Sequence, residues 1–141
     1  MAGMLYLVPT PIGNLSDISA RCRKTFEEAD FIAAEDTRVT LKLLNFLELK
    51  KPLVSYYEHN KLESGPKIVR RIQEGETCVL VSDAGSPAIS DPGEDLVRLC
   101  AEAGLTVCAI PGPCALVTAL SISGLPTGRF CFEGFLSINK K

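Results

Sequence analysis

The chain has no tryptophan, a single histidine (His59) and only two methionines among 141 residues, and its 15 Lys plus Arg do not outnumber its 17 Asp plus Glu. A formal charge of -2 with a pI near 5.4 excludes the broad basic footprint of a domain that lives on nucleic acid. Six cysteines are present (Cys22, Cys78, Cys100, Cys108, Cys114, Cys131), yet no two form a C-x-x-C pair. Zinc and disulfide frameworks are therefore not expected, and at least four of these thiols read as small hydrophobes. No apolar run reaches the ~18 residues of a membrane span, and the N-terminus lacks the basic segment and cleavage site of a signal peptide. The expectation is a soluble, cytoplasmic protein with no membrane contact and no metal. Both common phosphate cradles are also missing: there is no G-x-G-x-x-G after the first apolar run and no G-x-x-x-x-G-K-[ST] anywhere.

What is there is globular: 46% hydrophobic and 23% charged residues, close to the average of folded domains and far from disordered, coiled-coil or collagen composition. Short apolar runs recur at residues 4–8, 31–34, 53–55, 78–81 and 106–110; without polar alternation they read as strands buried on both faces. Helical spacing fills the gaps, with Ile18, Cys22, Thr25, Phe26 and Ala29 on one face, then Leu41, Leu44 and Leu47, then Ile68 and Ile72, then Leu96, Leu99, Cys100 and Ala103. Asp91-Pro92-Gly93-Glu94 has the composition of a capping box at a helix start, and Gly75 and Gly104 are placed to end helices. Five strands with four intervening helices and short connections predict right-handed crossovers and an α/β fold: an open parallel five-stranded sheet with helices on both faces.

In such a sheet, ligands bind outside the carboxyl ends of the strands. The segments following the five runs are PTPIGN (9–14), EDTR (35–38), YYEHN (56–60), SDAGSPAISDPG (82–93) and PGPCA (111–115). The connections at the other edge, EGE (74–76) and AGL (103–105), are plain helix stops. One functional edge is predicted. Lysine is absent from all five of its loops and Arg38 is their one cation, so a triphosphate would be poorly neutralised. Glycine and proline turns bring rigid backbone groups close to a ligand. That suits a neutral adenosine whose appended group carries positive charge near Glu35, Asp36 or Asp83; S-adenosyl-L-methionine fits, as do other nucleosides.

The runs LYLVPTPIGNLSDIS (5–19), AAEDTR (33–38), EHN (58–60), VSDAGSPAISDPG (81–93), PGPCALVTALSISGLP (111–126) and RFCFEGFL (129–136) together resemble the tetrapyrrole methylase family, and within it the branch that modifies small-subunit ribosomal RNA. The resemblance touches nearly the whole chain. It implies a two-domain, homodimeric methyltransferase using S-adenosyl-L-methionine, and methylation of the ribose 2'-hydroxyl of a cytidine in small-subunit ribosomal RNA. It also implies cofactor-binding residues. Pro11, Ile12 and Gly13 match the family's first turn. Asp83, Gly85, Ser86, Pro87 and Ile89 match the fourth loop, with Ser86 standing where relatives carry aspartate. Gly112, Pro113, Cys114 and Ala115 match the fifth, with Cys114 and Ala115 where relatives often have serine or threonine. Residues 1–127 are expected to form the cofactor-binding domain and residues 128–141 a linker and the first strand of a truncated second domain. The chain then reads as an N-terminal fragment, inactive by itself. A tetrapyrrole or other small-molecule methylase, and a non-enzymatic cofactor-binding or dimerisation fragment, are the competing readings.

Structural roles compete at each candidate. Asp91 reads as a helix cap. Asp83 before Ala-Gly suits a turn as well as a ligand. Glu35 and Asp36 could cap the next helix, although two acids and an arginine crowd one strand end. His59 could serve as a base or only hydrogen-bond within its loop. Methyl transfer from a sulfonium needs no covalent intermediate, so Cys114 is not expected as a nucleophile. A base is sought among Glu35, Asp83 and His59, with positioning the dominant contribution. Arg21, Arg23, Lys24, Lys67, Arg70 and Arg71 read as solvated helix faces.

Overall fold

The structure, a computed structural model, describes residues 1–139. Strands β1 (Met4–Leu7), β2 (Phe31–Ala34), β3 (Leu53–Ser55), β4 (Cys78–Val81) and β5 (Thr106–Ala109) form one all-parallel sheet in the order β3-β2-β4-β1-β5. Helices α1 (Ala20–Glu28), α2 (Thr37–Phe46), α3 (Lys61–Gln73) and α4 (Gly93–Glu102) occupy the four crossovers, and α5 (Ala115–Ser121) follows β5. The open α/β sheet read from the sequence is the one observed.

Alternation along the central strands builds two cores. Ile32, Ala34, Val79 and Val81 pack with Phe26, Leu43, Leu44 and Leu47 under α1 and α2. Phe31, Ala33, Cys78 and Leu80 turn the other way, onto Ile68, Ile72, Leu96 and Cys100 under α3 and α4. Every residue of β2 and β4 is buried as a result. The edge strands β3 and β5 are only partly covered, contrary to the expectation for all five runs, because an edge strand has a neighbour on one side only.

Local chemistry sets the helix ends. The Ser19 hydroxyl accepts from the Cys22 N–H at 3.0 Å and an Asp36 carboxylate oxygen from the Arg38 N–H at 3.0 Å, each satisfying a free donor of a first turn. Gly75 (φ 108°) and Gly104 (φ 69°) take the left-handed conformation that closes α3 and α4. The Asp91 Oδ1 accepts from the Gly93 N–H at 2.8 Å, but α4 starts at Gly93 with Pro92 at the cap position and no side-chain cap bond, so the expected capping box, with Asp91 at the N-cap and Pro92 as first helical residue, does not form.

Three further expectations are corrected. Leu41 is 50% exposed; steps of three residues drift about 60° backwards per step around a helix of 3.6 residues per turn, and the buried stripe of α2 runs through Thr40, Leu43, Leu44 and Leu47. Ala103 is likewise exposed at the end of α4. The alternating stretch 130–136 forms no strand, since no neighbouring strand offers it a ladder; Lys140 and Lys141, at the end of the segment 128–141, lie outside the described residues. Among the basic residues, Arg71 is not a simple solvated charge: its guanidinium stacks 3.6 Å above the Phe31 ring and pairs with Glu76, closing the bottom of the second core. Cys22, Cys78 and Cys100 are buried, and burial pushes the Cys100 thiol up to about 11.

The two leucines of α2 make a direct test. Leu44→Ala should cost about 2–5 kcal/mol in urea unfolding, whereas Leu41→Ala should stay within about 0.5 kcal/mol.

Candidate functional site

The chain leaves β1 and β2 toward one face, through α1 and α2, and leaves β3 and β4 toward the other, through α3 and α4. Because β4 lies between β2 and β1, its loop departs opposite to those of both neighbours, and a crevice opens at that reversal. The loops are stitched across it. Thr10 and Gly85 exchange backbone hydrogen bonds of 3.0 and 2.9 Å, tying the first loop to the fourth. The Ser86 hydroxyl donates to the Pro113 carbonyl at 2.8 Å, tying the fourth to the fifth. The Tyr56 hydroxyl, buried and pushed up to about 12 chiefly by that burial, donates to the Pro92 carbonyl at 2.9 Å and ties the third loop to the head of α4. Lys61 reinforces this join through Asp95 (2.6 Å) and Glu58 (2.9 Å).

Three contiguous grooves follow the rim. The first, about 280 Å³, lies between the first loop and α2, with Thr10, Pro11, Val39, Lys42, Leu43 and Asp83 among its walls. The second, about 320 Å³, lies between the fourth and fifth loops and gathers Ile12, Gly85, Ser86, Ile89, Cys114 and Ala115. The third, about 420 Å³, joins them: it shares Asp83 with the first and Ser86 and Ile89 with the second, and adds Glu35, Glu58 and Asp91. Among the described residues, no lysine or arginine lines the second or third groove.

Six of the residues expected at a cofactor thus meet in the second groove. Gly85 (φ 77°) is required there, since a Cβ would come within 3.2 Å of the Ile12 side chain. Pro11 and Asp83 belong instead to the first groove. Pro87 is buried beneath the fourth loop and Gly13 projects into solvent. Gly112 lies so close to the Pro9 ring that any side chain would collide with it, a packing role. Pro113 lends its carbonyl to Ser86 and faces the α5 side. His59 is exposed, edge-on to Tyr57 at 6.1 Å, and lines none of the three grooves. Among the described residues, no group of His, Cys, Asp and Glu side chains could hold a metal ion. The sequence reading overlooked Thr10, Val39, Lys42 and Leu43 of the first groove; Val39 and Lys42 were legible only as an exposed i, i+3 pair on α2.

The adjacent acids Glu35 and Asp36 separate in character. Hydrogen bonds from Arg38, one of 2.9 Å to Oδ2, hold the Asp36 carboxyl below the usual range, and it caps α2. Glu35 faces the third groove, where burial first, and then the charges of Asp83, Asp91 and Asp36, push its carboxyl up. Asp91 is also pushed up, by burial against the pull of its backbone donors. It accepts from the Ala88 N–H at 3.0 Å and so restrains a loop in which Ala88 (φ 69°) and Ser90 (φ 57°) are both left-handed, a strain of the kind concentrated at functional sites.

An all-parallel sheet with glycine and proline turns gathered at its strand reversal defines an α/β domain with a grooved rim at the carboxyl ends of its strands. The model of the family described as Tetrapyrrole (Corrin/Porphyrin) Methylases matches residues 4–137, and the chain belongs to that family. It is 56% identical over 99% of its length to "Ribosomal RNA small subunit methyltransferase I" of Halalkalibacterium halodurans, covering 48% of that protein. It is 50% identical over 99% of its length to the protein of the same description from Escherichia coli O157:H7, covering 49%. The chain spans about half the length of the curated relatives it matches. Solved structures share the fold: uroporphyrin-III-C-methyltransferase from Thermus thermophilus (TM-score 0.64, 23% identity, 89% of this chain and 55% of that one) and a diphthine synthase (0.65, 18%, 87% and 49%).

The raised Glu35 carboxyl has a signed consequence. A folded-state pKa above the unfolded one means that the folded state binds more protons in the window between them, so stability falls as pH rises through it. Glu35→Gln should therefore be more stable than the parent at pH 7, and the gain should vanish below the ordinary carboxylate value of 4.5; urea midpoints across that range read it.

Proposed function

We propose that residues 1–127 form the cofactor-binding domain of an S-adenosyl-L-methionine-dependent methyltransferase, with residues 128–141 leading into a second domain. The whole protein methylates the ribose 2'-hydroxyl of a cytidine in small-subunit ribosomal RNA. The observation that carries this reading is the second groove, where Ile12, Gly85, Ser86, Ile89, Cys114 and Ala115 converge with no cation among the described residues and open onto a third groove bearing Glu35, Asp83 and Asp91. The walls, completed by Leu116 and by Phe132 and Phe135 of the C-terminal segment, are mainly apolar and fit an uncharged adenosine, and the carboxylates suit a cationic sulfur. Bound there, S-adenosyl-L-methionine would supply a methyl group on a sulfonium leaving group. Metal is not required for this chemistry.

The chain's own residues then have distinct tasks. Gly85 and Ser86 shape the groove by holding the fourth loop to the first and fifth. Glu35, which faces the third groove and whose carboxyl is pushed up by burial and by the neighbouring carboxylates, accepts the hydroxyl proton. Asp83, between the first and third grooves, orients the substrate. His59, outside the grooves, takes no part in this scheme. Homodimer formation in the cytoplasm belongs to the same proposal: Val117, Ile122, Leu125, Phe130 and Leu136 are exposed, an apolar surface suited to cover by a second copy.

Calorimetry on the 141-residue chain should show weak binding of S-adenosylhomocysteine, lowered about tenfold by Gly85→Ala, which forces a side chain into a left-handed position. Tritiated methyl transfer to immature small subunits should be undetectable with this chain and present with a protein of the relatives' full length. Absence of any binding heat, or robust transfer by this chain alone, would overturn the reading.

A further inference from the structure

The C-terminal segment forms no strand, yet it reaches the rim of the sheet. Gly134 (φ 73°) runs so close to the fourth loop that a Cβ on it would stand 3.4 Å from the Ser90 hydroxyl oxygen, and the chain bends at the next residue. That approach brings two rings to the grooves. Phe132 lines the second groove alone, whereas Phe135 lines both the second and the third. Among the described residues, Phe135 is the one aromatic ring on the third groove, which also carries the carboxylates of Glu35, Glu58, Asp83 and Asp91. Glu58 is engaged by Lys61 at 2.9 Å and Asp91 by the N–H groups of Ala88 and Gly93, which leaves Glu35 and Asp83 to meet a ligand. Phe135 is 87% exposed, so its ring faces are largely uncovered.

A ring beside carboxylates suits a cation that has no hydrogen to donate. An ammonium or guanidinium is satisfied by the carboxylates themselves through charge-assisted hydrogen bonds. A sulfonium carries carbon on every bond and has no N–H, so a carboxylate offers it charge alone. The negative face of an aromatic ring adds attraction to the charge together with close apolar contact for the carbons. We infer that Phe135 recognises the sulfonium of S-adenosyl-L-methionine through its ring face, at the seam between the groove that takes the adenosine and the groove that Glu35 faces. The inference rests on the methyltransferase reading and assigns that site's charge selectivity. Phe132, confined to the second groove, walls the adenosine. Methyl transfer removes the positive charge and with it this attraction, so the ring separates the charged donor from the neutral product by a difference of affinities.

Calorimetry on the 141-residue chain with S-adenosyl-L-methionine and S-adenosylhomocysteine tests this, because the two ligands differ only in the methyl group and the charge it confers. Phe135→Leu keeps an apolar side chain. It should weaken S-adenosyl-L-methionine binding about two- to fivefold, the range of an exposed cation–π contact, and leave S-adenosylhomocysteine binding as it was. The melting temperature should hold, since the side chain is largely exposed. Phe135→Tyr should retain the parent affinity for both ligands. Fluorinated phenylalanines at position 135 keep the shape of the ring while draining charge from its face, so affinity for S-adenosyl-L-methionine should fall stepwise with each fluorine. Equal weakening of both ligands by Phe135→Leu, no weakening of either, or indifference to fluorination would each overturn the inference and leave the cofactor reading intact. Absence of binding by both ligands would strike the cofactor reading itself, and the inference would fall with it.

Discussion

Right-handed crossovers leave β4 flanked on both sides by strands whose chains depart over the opposite face, and all three rim grooves descend from that arrangement. Two neighbouring loops that leave in the same direction would close over each other. Two that diverge expose the strand ends between them. The fourth loop sits at the divergence twice over, beside β1 and beside β2, which explains why residues 82–92 contribute to every groove. The same exposure demands restraint, provided by the Thr10–Gly85 exchange, the Ser86 bond to Pro113 and the Asp91 bonds to Ala88 and Gly93.

Electrostatics divide the rim. Asp36, at the surface and bonded to Arg38, is a committed anion and a helix cap, whereas Glu35 one residue earlier is turned inward among other carboxylates. Alternation along a strand and its exit sends the two side chains to different environments, and environment decides their protonation. A single sequence step therefore separates an acid that caps a helix from one turned into a groove. The fourth loop shows a comparable division: Asp91 spends its carboxylate on backbone donors, while Asp83 remains exposed at the junction of two grooves.

Much of the fold was legible because its signals are local. The apolar runs mark their strands to within a residue, and Ser19, Asp36, Gly75 and Gly104 act where their side-chain chemistry or its lack requires. Failures fell where a local pattern had two solutions. Leu41 shares a spacing of three with Leu44 and Leu47, but the core accepts the stripe that begins at Thr40. The 130–136 alternation has the period of a strand without a partner strand to pair with. Pro87 and Gly112 share loops with groove residues, yet one is buried and the other is pressed against Pro9.

Sequence alone determined the alternation of strand and helix, the edge at which the glycine and proline turns gather, and the turn residues, since periodicity and capping act over a few neighbouring positions. It also carried the family resemblance, which the order of several motifs makes specific. Only the tertiary structure decided the strand order, the split between Glu35 and Asp36, and the union of Thr10, Val39, Lys42 and Asp83 around one groove. Those relations join residues tens of positions apart, and their geometry arises only when the crossovers pack onto the sheet and bury the two cores.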